Sequence, residues 1–379
     1  YAILSNLANN LVSPFISFVS AYFGMSSEQI ALITAATNAV PNISQYFLSF
    51  IKSRARFLLF IGTLTNGILW ILSSFIKFNW IFLIIYFAIT ITGGIANFGW
   101  LLIMNKVSVN NRGKTLSSYL VYTTIGGMLA TFITGLITEQ DTELIKYFFM
   151  TSGLLLNVSS LVANKIEVDV DNDDNNKNKG NNEIRRFLVS TFMFNLVLSL
   201  AWPIFPIAQV YKFHMNDEQV AIMSIETGVF TVVFQRIIAK LTDVRRTLTM
   251  FLGSSTYAIY PMSYYLSNSV FYLYLANALS GFTNGVYSIT FIAYLFDKST
   301  RYNLKNNLAL YNLVIGSAIF IGSILGGYIY GVLENIYGVI ASINIMLLTT
   351  TLLRLSVSPL FLIVFIIFFN VNLASPKSG

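Results

Sequence analysis

One carboxylate, Glu226, stands deep in the apolar stretch 221–234. An ionised carboxyl there, without water or a partner, costs several kcal/mol, so it must be hydrated, paired or protonated. A group so placed can take up and release a proton, or contact a solute in a water-filled cavity. The alternative is structural: a Glu bonded to neighbouring Asn or Tyr. Amides recur at helical spacing in the other apolar stretches. Asn6 and Asn10 run with Ser13, Ser17 and Ser20, and Asn38, Asn42 and Gln45 run with Thr34 and Ser49. Asn195, Ser199, Trp202, Pro206 and Gln209 form a third stripe; Gln235 matches Gln45, and Asn277, Asn284 and Tyr287 run with Thr90, Gly94 and Asn97 of an equivalent stretch. Lipid-facing surfaces are apolar, so one polar stripe per helix marks an interior face. Amides there can bond neighbouring helices for about 0.6–2 kcal/mol each. Their number and alignment favour a shared aqueous cavity, in which amides are hydrogen-bonding contacts for an organic solute and Trp202 is an aromatic wall.

Other chemistries lack their residues. With no cysteine and one histidine, the chain has no thiolate ligand and no cluster for a transition metal. His214 falls in a short polar connection and reads as a solvated loop residue. The acidic run 167–183 offers Asp169, Asp171, Asp173 and Asp174, yet lacks the glycine and closing-glutamate spacing of a calcium loop. It reads as a flexible linker. No nucleophile–base pair lies within the apolar stretches, so neither an enzyme nor a cofactor or metal site is expected.

These side chains are carried by helices. Hydrophobic residues make up 55% of the 379 and charged residues 10%, outside the range of soluble domains. At about 20–25 residues per crossing the length accommodates about twelve spans. They fall at 1–23, 29–51, 57–76, 80–104, 115–137 and 145–163, then 186–211, 219–239, 247–266, 270–296, 308–332 and 336–353. The expected organisation is a six-helix half over 1–163, a linker over 164–185, a second half over 186–354 and an apolar tail over 355–379. The tail segment 360–369 is too short to cross a bilayer of about 30 Å; it either lies in the interface or extends a tilted last helix. Lys and Arg concentrate in alternate connections, leaving Lys77, Lys146 and Lys212 in the opposite set. By the positive-inside rule both termini are cytoplasmic. The net charge of +7 is therefore a topology signal, and nucleic acid is not an expected partner.

The halves repeat one another in the same direction. Asn6-Leu7, Pro14, Met25-Ser26-Ser27-Glu28-Gln29 and the basic cluster to Arg56 return about 190 residues later as Asn195-Leu196, Pro203, Met215-Asn216-Asp217-Glu218-Gln219 and the cluster to Arg246. The sequence thus predicts an all-α polytopic membrane protein of about twelve transmembrane helices in two parallel six-helix halves. Gly281/Gly285, Gly322/Gly326 and Gly327/Gly331 are spaced for close helix approach.

In spans, repeat, central linker and basic loops, the chain resembles the major facilitator superfamily of secondary transporters over its whole length. Asp243, Arg245 and Arg246 match the superfamily's loop motif after span 8 without its glycine; Arg54 and Arg56 match it after span 2 without glycine or aspartate. Arg112, in Asn111-Arg112-Gly113-Lys114, matches the loop before span 5. The resemblance implies that these residues brace neighbouring helices as conformational gates. It implies a secondary active transporter in the cell membrane, moving a small organic solute between the halves by alternating access. Protons through Glu226, membrane lipid and a monomeric state complete the expectation. The alternatives are a uniporter, or a non-transporting sensor or complex subunit on the same scaffold.

Overall fold

The computed structural model describes residues 1–51, 53–107, 112–139, 141–168, 182–299 and 304–362. The first half runs α1 (Ala2–Asn10), α2 (Ile16–Tyr22), α3 (Ser27–Leu48), α4 (Ala55–Ser73), α5 (Trp80–Val107), α6 (Arg112–Thr138), a 3-10 turn (Thr142–Leu144) and α7 (Ile145–Asn164). The second runs α8 (Asn182–Ser199), α9 (Ile204–Tyr211), α10 (Asp217–Thr256), α11 (Ile259–Leu266), α12 (Val270–Val286), a π-turn (Tyr287–Phe291), α13 (Ile292–Lys298), α14 (Leu304–Tyr337) and α15 (Val339–Val357). Among the described residues these make twelve crossings when the broken helices are joined and α10 is divided at Arg245, and the chain is a multi-pass membrane protein. No β-strand occurs among the described residues.

The repeat is written into local structure. Pro14 and Pro203 lack the N–H that would continue the helical ladder, and span 1 breaks into α1 and α2 where span 7 breaks into α8 and α9. Both copies then turn through a residue of positive φ: Gly24 at 73° and His214 at 49°. The first is a Schellman close, with Met25 N–H donating to Ser20 O and Gly24 N–H to Ala21 O, each at 3.0 Å. Immediately after, both copies start a helix with a capping box, Ser26 with Gln29 and Asn216 with Gln219.

Among the described residues six helices are long and apolar enough to cross a membrane by composition alone, including α4, the Val339–Leu362 helix and the described part of α5. Spans 8 and 9 depart from the expected loop between them: α10 runs through both, with only Arg245 leaving helical geometry (φ −144°, ψ 65°). Span 9 breaks instead at Tyr257–Ala258, just ahead of Pro261.

The two ends of the molecule are built differently. At the face opposite the basic loops, one apolar core joins both halves: Phe15, Phe18 and Met25 with Trp70, Phe82 and Phe149 from the first, and Ile204, Ile207, Met215 and Tyr330 from the second. At the basic face one core, Ala55, Leu59, Ile103 and Ala163, lies within the first half, and a second, Phe187, Phe194, Ile238, Phe291 and Phe361, belongs to the second half with Ala39 of α3 packed into it. The halves meet along α3 with α14 and along α6 with α10. The broader shared core is the one at the far face, and toward the basic face α3 and α14 stay in contact, where Gln45 meets Asn312.

Candidate functional site

A cavity of about 230 Å³ opens in the second half among α8, α10, α12 and the breaks after α8 and α10. Trp202, Phe205, Tyr257 and Tyr260 wall it, Thr227, Asn277 and Asn284 line it, and the Arg354 guanidinium borders it. Arg354 is only 1% exposed. Its two terminal nitrogens donate to Tyr257 O (2.8 Å) and Leu198 O (2.6 Å). Both carbonyls are free for a stated reason. Pro261 has no N–H for the carbonyl four residues before it, and at the α8–α9 break Trp202 N–H turns to Ser199 O (3.1 Å), leaving Leu198. The Arg354 Nε is buried without a partner, and the Phe205 ring lies 5.8 Å from the guanidinium.

Asn277 organises the adjoining wall. Its amide donates to Met223 O and to Thr227 Oγ1 (2.8 Å), and its Oδ1 accepts from Tyr260 OH (2.8 Å). Glu226, half-buried on α10, neighbours Asn277, and its Oε2 is buried without a partner. Tyr260 lies within electrostatic reach of both Glu226 and Arg354, so one carboxyl and one guanidinium flank the same tyrosine.

Two further polar cavities flank the seam. One of about 280 Å³ lies between the halves, lined by Asn6, Asn10, Thr131 and Gly127 on one side and Ser224 and Gly228 on the other. The other, about 180 Å³, lies within the first half and is rich in amides: Asn6, Asn9, Asn66 and Asn97, with Tyr1 against Trp100 at 5.1 Å. At the basic face a charged cleft of about 600 Å³ holds Asp243, Arg245, Arg246, Asp297 and Lys298. There Arg246 pairs with Asp297, and Lys298 with Glu183 at 2.8 Å.

The model of the Major Facilitator Superfamily matches residues 1–183 and 187–373. The chain belongs to that superfamily. Its fold is similar to that of the nucleoside transporter NupG in a mutant form (TM-score 0.76, 12% identity, 96% of this chain and 98% of that one). It is similar also to a peptide-bound POT family transporter (TM-score 0.75, 11% identity, 99% and 96%). A bacterial homolog of the human lysosomal transporter Spinster, solved inward-facing and occupied, gives a TM-score of 0.74 at 11% identity (97% and 95%). No curated protein matches the sequence. At these identities the likeness is one of fold.

Within this superfamily member, the residues read from sequence as solute contacts divide. Asn6 and Asn10 reach the seam cavity, and Trp202, Asn277 and Asn284 reach the second-half cavity. Asn195 and Gln209 border neither; they are engaged with Tyr287 OH and Tyr264 OH at 2.9 and 3.0 Å. On α3, Asn38 and Asn42 turn their amides to Thr34 O and Asn38 O, each at 2.9 Å, while Gln45 accepts from Asn312 of the other half at 3.3 Å. Gln235 is exposed and borders none of these cavities. Among the loop residues, Arg56 donates to Ile166 O at 3.2 Å, Arg54 stands exposed at the start of α4 without a side-chain capping bond, and Asp243 lines the charged cleft. The Arg112 side chain lies outside the described residues. Sequence reasoning missed Arg354, having ended span 12 there. Its signal was the apolar run beyond it: helical structure continues through Pro359 to Leu362, with Phe361 buried against Phe194 and Phe291, and so places Arg354 inside the bundle.

Proposed function

We propose that this protein is a secondary active transporter of the cell membrane, moving a small organic solute by alternating access, with both termini cytoplasmic. The observation that carries the reading is the asymmetry of the core. The two halves share one broad apolar core at the far face, join toward the basic face through α3 and α14, and keep polar cavities along and beside the seam. Such a molecule can exchange one closed end for the other by rocking, without exposing its polar interior to lipid. The basic loops mark their face as cytoplasmic. The working unit is a monomer in lipid, with no role for nucleic acid.

Glu226 is the proton-coupling group in this proposal. Its unpartnered Oε2 beside Asn277 leaves room for a proton or a water within reach of the second-half cavity. Glu226→Gln is expected to abolish proton-driven accumulation in proteoliposomes while sparing counterflow exchange. Unchanged accumulation would assign coupling elsewhere, and loss of both would make Glu226 a structural or solute-binding group.

The rocking itself is measurable directly, because the chain has no native cysteine. Spin labels at Lys77→Cys and Asn268→Cys, on exposed far-face connections of the two halves, report the opening of that face by double electron–electron resonance. Two distance populations are expected in lipid. A single distance under every solute and pH condition would sink alternating access.

A further inference from the structure

We propose that the second-half cavity receives a small organic anion, its carboxylate or phosphate group held by Arg354 and its body against Trp202, Phe205, Tyr257 and Tyr260. The inference deepens the transport reading, and it rests on that reading only for the fate of the bound solute. Arg354 is a full positive charge at 1% exposure, and among the described residues no carboxylate pairs with it. Its two carbonyl contacts are dipoles, which offset a buried charge only in part. Closing two helix breaks would need only a neutral donor at each carbonyl. A guanidinium supplies five N–H donors in a planar fork, and two of them make the Tyr257 and Leu198 bonds. The Nε is buried, unpartnered and part of a residue bordering the cavity. Clamped at its terminal nitrogens, the fork cannot swing away, so the remaining donors are preorganised for a planar or tetrahedral oxyanion.

The walls fit an anion with an apolar or aromatic body. The Tyr257 and Tyr260 hydroxyls are already donated to Asn284 (3.0 Å) and Asn277 (2.8 Å), so these residues offer rings to a ligand. Phe205 faces the guanidinium at 5.8 Å, and Trp202 is half-buried on the same wall. The volume of about 230 Å³ admits a body of one or two rings.

The test uses purified protein and three anionic probes: benzoate, indole-3-acetate and phenyl phosphate. Each carboxylate is compared with its neutral amide, benzamide or indole-3-acetamide. At least one anion is expected to bind about tenfold or more tighter than its uncharged counterpart. That preference is expected to vanish in Arg354→Gln and to weaken in Arg354→Lys, which keeps charge but not the fork. The benzoate and phenyl phosphate arms separate carboxylate from phosphate. Equal binding of acid and amide to the unaltered protein, or no binding by any anion, would overturn the proposal, even if the variants fail to fold. The far-face distance between labels at positions 77 and 268 keeps the two readings apart. Two distance populations with no preference for the acid remove the anion site and leave transport. Anion-selective binding with one fixed distance leaves the site and removes transport.

Discussion

At the scale of single residues, the second half is held around its cavity by groups doing several jobs at once. Asn277 satisfies Met223 O, Thr227 and the Tyr260 hydroxyl together, so Asn277→Ala strands buried polar atoms on two helices. A loss of about 1–3 kcal/mol is expected, read as a lowered unfolding midpoint. His214 is the opposite case. It holds φ at 49° where the first half has Gly24 in the same role, a conformation a β-carbon disfavours by about 1–2 kcal/mol. Allowing for the greater unfolded freedom of glycine, His214→Gly should stabilise the protein by about 0.5–1 kcal/mol. A lower midpoint in that variant would mean that the imidazole makes a compensating contact.

At the scale of elements, the helix starts and the helix seams carry the architecture. Ser26 and Asn216 each close a capping box at equivalent turns, and replacing either by Ala should cost about 1 kcal/mol. Glycines set the seams of α14 on two faces. Gly322 and Gly326 lie against Leu196, Ser199 and Leu200 of the same half, whereas Gly327 and Gly331 lie against Ser27, Glu28 and Ala31 of the other. One helix thus packs closely against its own half on one side and against the other half on the next. A methyl at Gly326 would collide with the Leu200 backbone, so Gly326→Ala should lose about 1–3 kcal/mol. Gly126 has open space at the same position, and Gly126→Ala should be neutral or gain up to about 1 kcal/mol. Equal midpoints for the two variants would mean that α8 and α14 are not tightly seated.

At the scale of the whole molecule, the far-face closure buries a titratable group. Asp217, in the connection ahead of span 8, is 1% exposed, and burial pushes its carboxyl up to about 6. The hydroxyls of Thr142 and Thr138 from the first half oppose that shift without closing full hydrogen bonds. In the proposed rocking, opening of the far face would return the group toward its ordinary value of 3.8. Below both values the carboxyl is protonated in either arrangement and favours neither. As pH rises from about 4 to 6 the open form ionises first, and closure weakens by on the order of 2–3 kcal/mol. The short distance between labels at positions 77 and 268 should therefore be more populated at pH 5 than at pH 7. Asp217→Asn should hold it populated at both, and a pH-independent ratio in the unaltered chain would rule out this latch.

The sequence alone determined what short-range chemistry controls. Apolar runs must be helices in a bilayer, since each satisfies its own backbone there, so the number of crossings and the two parallel halves were legible. The proline breaks and capping boxes were equally local, and a repeat of Pro14, Ser26 and Gln29 as Pro203, Asn216 and Gln219 announced them. What the tertiary structure decided was which polar groups meet. Arg354 closes the Leu198 and Tyr257 carbonyls left over at the breaks near Pro203 and Pro261 in two other spans, a relation between distant segments that no periodicity encodes. Gln235 and Gln45 hold equivalent places in the repeat, yet one is exposed and the other meets Asn312 across the seam. Stripe spacing sets the direction of a side chain about its own helix; only the packing of helices against one another sets what stands opposite.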